Sequence, residues 1–216
     1  MITLSINTST KITHLALHDG AKILSSFAEN LGREQSSLLQ GKIATLLEQA
    51  NLEKSDIELI AVTRGPGFYT GIRCGLSFAL GLAYSLGLPV LALSSLDLLQ
   101  EAALTNENFA NKRFVVPYIK SKKNSVFSQI YDRENGEFVA PPACYNLDFL
   151  QDFARQKDNA IFVSYDTELY PDLAPLTFTP ALDIANCFAS LEEKIKTPLA
   201  SPLEVKAVYF REPDIG

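Results

Sequence analysis

The stretch Arg64-Gly65-Pro66-Gly67-Phe68-Tyr69-Thr70-Gly71-Ile72-Arg73-Cys74-Gly75 constrains this chain more than any other. It follows an apolar run, Leu59-Ile60-Ala61-Val62, that reads as a buried strand. It precedes another, Leu76 to Leu86, that reads as a helix. Glycine permits backbone torsions and close approaches that a side chain blocks. A glycine turn before a helix N-terminus is also how proteins present backbone N–H groups to anions. The stretch is therefore either a phosphate loop or a packing device.

The rest of the chain supplies its setting. Residues 2–6 read as a strand, followed by the polar turn Asn7-Thr8-Ser9-Thr10. Residues 14–18 and 21–28 form the next two strands, joined at the hairpin signal Asp19-Gly20. Residues 33–50 show helical period, with Leu39, Ile43, Leu46 and Ala50 on one face and Ser36, Gln40 and Leu47 beside it. Strands at 56–62 and 89–93 flank the glycine turn and its helix, and Ser94-Ser95 cap a helix over 96–103. This order, β-β-β-α-β-α-β-α, predicts an α/β domain with a mixed sheet.

A polar stretch at 106–112 marks a boundary, so residues 1–104 form one lobe and 105–216 a second, reduced α/β lobe. In the second lobe, strands are predicted at 114–119, 126–131 and 137–140, the last pair joined at Asn135-Gly136. A helix over 146–156 capped by Asn146, a strand at 161–164 and a helix over 182–195 follow. The tail, 205–210, alternates like an edge strand or a segment that docks back. The second lobe thus repeats the first in reduced form.

Composition narrows the function classes. With 19 basic and 25 acidic residues the net charge is −6, a poor footprint for a protein that binds nucleic acid unaided. The three cysteines, Cys74, Cys144 and Cys187, are widely spaced and include no Cys-x-x-Cys pair, so they suggest free thiols in a reducing compartment. Met1-Ile2-Thr3-Leu4 has no secretory pattern, and Gly81, Gly87 and Pro89 break the longest apolar stretch. A cytoplasmic protein without a membrane span is expected.

Several residues are candidates for chemistry. Thr8, Ser9, Gly65 and Gly67 are the candidate anion or nucleotide contacts. His14 and His18 are four apart, but on a strand they sit about 13 Å from each other at roughly 3.3 Å per residue. Zinc–nitrogen bonds are about 2.0–2.1 Å, so one ion cannot join them and no metal site is expected. A protease would pair Cys74 with a base, yet no histidine follows it. Gly71, Gly75, Ala79 and Ala83 recur every four residues along one helix face. Mid-helix glycine is about 1 kcal/mol worse than alanine, so the stripe implies a close approach, either to the domain's own strands or to another helix. Because Ile72, Leu76, Phe78, Leu80 and Leu82 make this helix apolar nearly all round, an intermolecular contact is the expectation. Arg73 is placed to contact a phosphate, cap a partner's helix or form a surface ion pair. Lys120, Lys122 and Lys123 form a basic hairpin that reads as a solvated turn or a grazing contact for RNA.

The motifs Asn7-Thr8-Ser9-Thr10, Arg33-Glu34-Gln35-Ser36, Gly65-Pro66-Gly67 with Thr70-Gly71-Ile72-Arg73, Gly81-Leu82-Ala83, Ser94-Ser95-Leu96 and Val208-Tyr209-Phe210-Arg211 resemble the bacterial TsaB (YeaZ) family, strongly over the first half of the chain and weakly over the second. The resemblance implies the actin-like ATPase fold (ribonuclease H-like, of the sugar-kinase and actin superfamily) in two related lobes. It implies a non-catalytic subunit that binds and activates TsaD, the transferase that places threonylcarbamoyl on the adenosine beside the tRNA anticodon. The small ATPase TsaE joins the assembly, tRNA is reached only through the complex, and a homodimer in isolation stays open. The implied interface is Ser36, Gln40, Ile43, Leu47, Gly71, Ile72, Arg73, Gly75 and Ala79. No cofactor of its own is implied, although ATP or ADP near the TsaD interface stays open. Two departures stand out. Asn7 occupies the position where such ATPases carry an aspartate for metal and phosphate, and Gln35 stands where the family usually has histidine. An amide supplies no negative charge to a metal ion, which weighs against the alternative, an autonomous small ATPase or kinase of the same superfamily.

Overall fold

The computed structural model describes residues 1–180, 184–194 and 199–210. In chain order the elements are β1 (Ile2–Asn7), β2 (Thr13–Asp19), β3 (Lys22–Glu29), α1 (Gln35–Ala50), β4 (Leu59–Thr63), α2 (Tyr69–Leu86), β5 (Val90–Leu93) and α3 (Ser95–Leu104). Then come β6 (Phe114–Lys122), β7 (Ser125–Asp132), β8 (Glu137–Asn146), α4 (Leu147–Gln156), β9 (Ala160–Val163), β10 (Thr177–Phe178) and α5 (Ile184–Lys194). They divide into two compact units, residues 1–95 with 184–208 and residues 96–180 with 209–210. The chain passes between units at the start of α3, earlier than the break after residue 104 read from the polar loop, and α5 belongs to the first unit.

In the first unit the strand order is β3-β2-β1-β4-β5, antiparallel from β3 to β1 and parallel from β1 to β5. Alternation along the strands sends Leu4, Ile6, Leu15 and Leu17 to one face. There they meet Leu39, Ile43 and Leu46 of α1 and Leu76, Ala79 and Ala83 of α2. The opposite face of β1 and β2 carries Ser5, His14 and His18, all buried, and α5 packs against β2 and β3. On that polar face His18 Nδ1 donates to the Gly20 carbonyl at 3.1 Å, so its Nε2 accepts from Ser5 Oγ at 2.8 Å. Glu192 of α5 stands 3.9 Å from the same Nε2. Burial holds His18 below its ordinary pKa and pushes His14 down to about 3.

The second unit repeats the order as β10-β9-β6-β7-β8. This strand order, twice, is that of the actin-like, ribonuclease H-like fold. Its core joins Val116, Tyr118, Val126, Ile130 and Phe162 to Leu150 of α4. The reduction lies between β9 and β10, where two 3₁₀ turns, Thr167–Leu169 and Ala174–Leu176, stand in place of a helix. β8 runs through Pro141 and Pro142 to Asn146, longer than the strand read at 137–140. As the sheet's edge it needs fewer ladder donors, so proline is tolerated there. The two-residue β10 was not predicted. Within 205–210 no strand forms; instead Val208 N donates to the Arg64 carbonyl at 2.7 Å, so this segment docks on the glycine turn. Of the helix expected over 182–195, residues 184–194 are helical; Leu182, Ile195 and Arg211 lie outside the described residues.

Candidate functional site

β1 and β4 are parallel neighbours, so their C-terminal ends bring Asn7 and Thr63 together, and Ser95 joins them from the start of α3. Asn7 is 1% exposed and its Oδ1 accepts from Ser9 N at 3.1 Å, Ser9 Oγ at 2.7 Å and Thr63 Oγ1 at 2.9 Å. Its Nδ2 donates to Thr10 Oγ1 at 3.1 Å, which in turn donates to the Ile12 carbonyl at 2.9 Å. Ser9 Oγ also lies 2.6 Å from Ser95 Oγ. A carbonyl oxygen with three donors has its acceptor capacity filled. The strand-end turn is thus a closed polar knot, and an amide suits it because one end accepts while the other donates. An aspartate has no hydrogen to offer Thr10.

The glycine stretch is built around the same turn. A Cβ at Gly75 would lie 2.0 Å from Thr8 Oγ1, and one at Gly71 would lie 2.0 Å from the Thr8 carbonyl. Thr8 Oγ1 donates to the Gly71 carbonyl at 2.7 Å, and Gln35 Nε2 donates to Thr13 Oγ1 at 2.7 Å and to the Thr8 carbonyl at 3.3 Å. Gly67 abuts the Ser9 carbonyl, which accepts from Phe68 N at 2.8 Å, and the Gly65 carbonyl accepts from Ser95 N at 3.0 Å. Thr8, Ser9, Gly65 and Gly67 are therefore brought together, with the Thr8 hydroxyl bonded to the Gly71 carbonyl of α2 and the Ser9 hydroxyl to Asn7 within the turn.

This geometry corrects the expectation that the small-residue stripe faces another chain. Gly71, Ile72, Gly75 and Ala79 are buried against the chain's own β1 turn and sheet. Ile43 and Leu47 are likewise core residues, 3% and 5% exposed. Spacing defined the face correctly, but only the fold shows what covers it. Of the nine interface candidates, Ser36, Gln40 and Arg73 are exposed.

The open side of the helix pair lies round the other flank of α2. One depression of about 530 Å³ is lined by Ser36, Leu39, Arg73, Cys74, Ser77 and Phe78 among others. A second, of about 360 Å³, continues from Ser77 and Phe78 to Gly81, Leu82 and Lys54. Serines and a glycine on a helix otherwise apolar leave a groove with a half-buried Phe78 and Leu82 in it. Sequence reading missed Ser77, Gly81 and Lys54; the i, i+4 pair Ser77 and Gly81, flanked by Phe78 and Leu82, was the available signal. Arg73 stacks over the Tyr69 ring, 3.8 Å from its centroid. Cys74 is half-buried and its thiol is pushed up by burial, which keeps it protonated at neutral pH. The two histidines lie on β2 in a separate polar layer. Lys120, half-exposed, and the exposed Lys122 and Lys123 sit at the β6–β7 hairpin of the second unit.

The family model described as TsaD, tRNA N6-adenosine threonylcarbamoyltransferase, matches residues 23–197. A Bacillus subtilis protein named tRNA threonylcarbamoyladenosine biosynthesis protein TsaB is 28% identical over 176 residues, 80% of this chain and 75% of that one. The chain belongs to the TsaB (YeaZ) branch of this family. A Haemophilus influenzae TsaB is 28% identical over 226 residues, covering 96% of this chain and 92% of its own. A solved Pseudomonas aeruginosa structure, described as an uncharacterized protein with similarity to peptidase YEAZ, superposes with a TM-score of 0.76 at 23% identity. It covers 97% of this chain and 99% of its own, and it establishes the TsaB-type fold. Asn7 and Gln35 each use a side-chain amide N–H to tie the turn after β1 to its surroundings.

Proposed function

We propose that the chain is a non-catalytic subunit of the tRNA threonylcarbamoyladenosine system, one that binds a TsaD-type threonylcarbamoyltransferase and activates it. Its relatives are named as threonylcarbamoyladenosine biosynthesis proteins, and the family model is that of the transferase. The observation that carries the reading is the groove along α1 and α2, a half-buried apolar surface beside a strand-end turn whose polar groups bond one another. In actin-like ATPases the strand-end turn is where phosphate and metal are handled. Here Asn7 fills it with hydrogen bonds, so the chain's contribution is a surface.

Docking of a partner helix pair in the groove would hold the partner's catalytic cleft in its working shape. ATP or ADP belongs near that interface, TsaE joins the assembly, and tRNA is reached through the complex in the cytoplasm. Sedimentation of the purified chain with its cognate TsaD tests this, together with a threonylcarbamoyladenosine assay with and without the chain. A complex at micromolar concentration that raises product formation is expected. Gly81→Leu, which adds bulk at an exposed position of the groove, should weaken the complex while leaving thermal unfolding unimpaired. Absence of a wild-type complex at micromolar concentration sinks the reading.

A further inference from the structure

The first glycine of the Gly65-Pro66-Gly67 turn answers to the far end of the chain. Val208 N donates to the Arg64 carbonyl at 2.7 Å, and the Val208 carbonyl lies over Gly65, where an added Cβ would stand 2.5 Å from its oxygen. Gly65 also has a φ of +110°, which favours glycine. On its other side the Gly65 carbonyl accepts from Ser95 N at 3.0 Å, and Ser95 Oγ lies 2.6 Å from Ser9 Oγ. Ser95 and Val208 are each the last residue of the first unit before the chain passes into the second, so both exits are tied to the dipeptide Arg64-Gly65. The tail itself is lightly held. Residues 199–210 contain no helix and a single isolated bridge, in which Ala200 exchanges two main-chain bonds with Val90 at 3.0 Å. Val205 is the one buried side chain among them, whereas Leu203 is 78% exposed and Lys206 and Tyr209 are exposed as well. A segment with few buried contacts and few main-chain bonds lies at the low end of local stability.

We propose that residues 205–208 are a detachable strap: they open while the sheet stays folded, and when docked they clamp the glycine turn and, through Ser95, the polar knot at Ser9. Glycine stands at position 65 because the strap's carbonyl occupies the space of a side chain. Opening returns the Arg64 carbonyl to water and removes the Val208 backbone from above Gly65. The bonds that Phe68 N makes to the Ser9 carbonyl, at 2.8 Å, and Ser95 N to the Gly65 carbonyl then lose one of their supports. The strap thus links the chain's last described segment to the turn after β1 through a short run of named bonds, with no movement of the sheet.

Native-state amide hydrogen exchange on the full chain tests this. The Val208 amide should exchange about 100-fold faster than those of Ile60 and Val62 in β4, and with less dependence on urea, the mark of a local opening. Val208→Pro removes the donated N–H at a position outside every helix and strand. It should leave the urea midpoint near that of wild type, speed tryptic cleavage after Lys206 about tenfold, and speed exchange at Phe68 and Ser95 several-fold. Gly65→Ala presses on the same contact from the other side and should act likewise, and the double variant should be no looser than the singles, since the two positions share one contact. If Gly65→Ala does not fold, Val208→Pro carries the test alone. A Val208 amide that exchanges only by global unfolding, or a large fall in the midpoint with Val208→Pro, overturns the detachable strap. Faster cleavage after Lys206 with unchanged exchange at Phe68 and Ser95 overturns the clamp and makes the tail a passive cover.

Discussion

The two units share one strand order but differ in what covers the turn after their first strand. In the first unit α2 lies on the turn after β1, and Gly71 and Gly75 bring the helix against Thr8. In the second unit no helix stands between β9 and β10, and the turn after β6 is an open hairpin carrying Lys122 and Lys123. There the end of β6 is secured by the buried Asp166, whose carboxylate accepts from Lys120 N at 2.8 Å. A covered turn needs glycine in the covering helix; an open one does not. In the covering helix Gly71 and Gly75 meet this demand, whereas a Cβ at Gly81 would meet nothing within 4 Å.

The largest effect should come from breaking the covered turn. At Gly75 a Cβ already meets Thr8 Oγ1, and Gly75→Leu adds three further carbons. Either the turn or α2 must move, which opens the packing of Leu76 and Ala79. A loss of about 4 kcal/mol or more is expected in urea denaturation, enough to unfold a marginal domain. The milder pair Thr8→Ala with Gly75→Ala removes the clashing hydroxyl, and the nearest remaining side-chain atom, Thr8 Cβ, is 3.1 Å away. That double variant should be more stable than Gly75→Ala alone. On the open turn, Lys123→Leu should stay within about 0.5 kcal/mol of wild type. Equal sensitivity at positions 75 and 123 would break the comparison.

Much of this contrast was legible in the sequence and part of it was not. Strand alternation, the Asp19-Gly20 and Asn135-Gly136 turns and the Asn146 cap are local signals, and they placed the main elements of both units. The four-residue spacing of Gly71, Gly75, Ala79 and Ala83 identified a face but not its occupant. That occupant, Thr8, is more than sixty residues away in sequence, and no local rule names it. The same limit hid the return of α5 to the first sheet and the pairing of Asn7 with Thr63. The groove was obscured for a different reason. Serine and glycine among apolar residues read as interruptions of a buried helix, whereas here they are its exposed side.

Acid should separate the units next. Both histidines belong to the first unit, and both are held below their ordinary pKa by burial, His14 to about 3. The unfolded chain takes up the His14 proton below pH 6.5, whereas the folded chain keeps that ring neutral down to about pH 3. Stability is therefore full above that pH and falls as pH drops, by about 1.4 kcal/mol per pH unit for His14, with His18 acting in the same direction. In the second unit the corresponding group is Asp132, held below the usual carboxylate range by the Arg113 guanidinium. Its contribution is present above the ordinary carboxylate pKa and is lost only as pH falls through about 4 and lower. Amide hydrogen exchange should thus show β1 and β2 losing protection between pH 6.5 and about 5, before β6 and β7. Loss in the opposite order, or an unchanged slope in His14→Gln, would count against burial of the neutral ring as the cause.

The smallest effect sharpens the comparison from within α2 itself. Gly81 is on the same helix as Gly75 yet is exposed, and a Cβ there meets nothing within 4 Å. Packing of the isolated chain gives no reason for glycine at this position, and helix propensity opposes it. Gly81→Ala should raise stability by up to about 1 kcal/mol, since alanine restricts the unfolded backbone and suits the helix interior. It also places a methyl group on the rim of the groove that Ser77, Phe78 and Leu82 line. If a partner helix rests there, the more stable variant should bind TsaD several-fold more weakly, so stability and association move in opposite directions. Parallel urea and sedimentation measurements would read the two. A gain in stability with unchanged binding would place the partner elsewhere on the α1–α2 surface, and a loss of stability would mean that Gly81, like Gly75, answers to a contact inside its own chain.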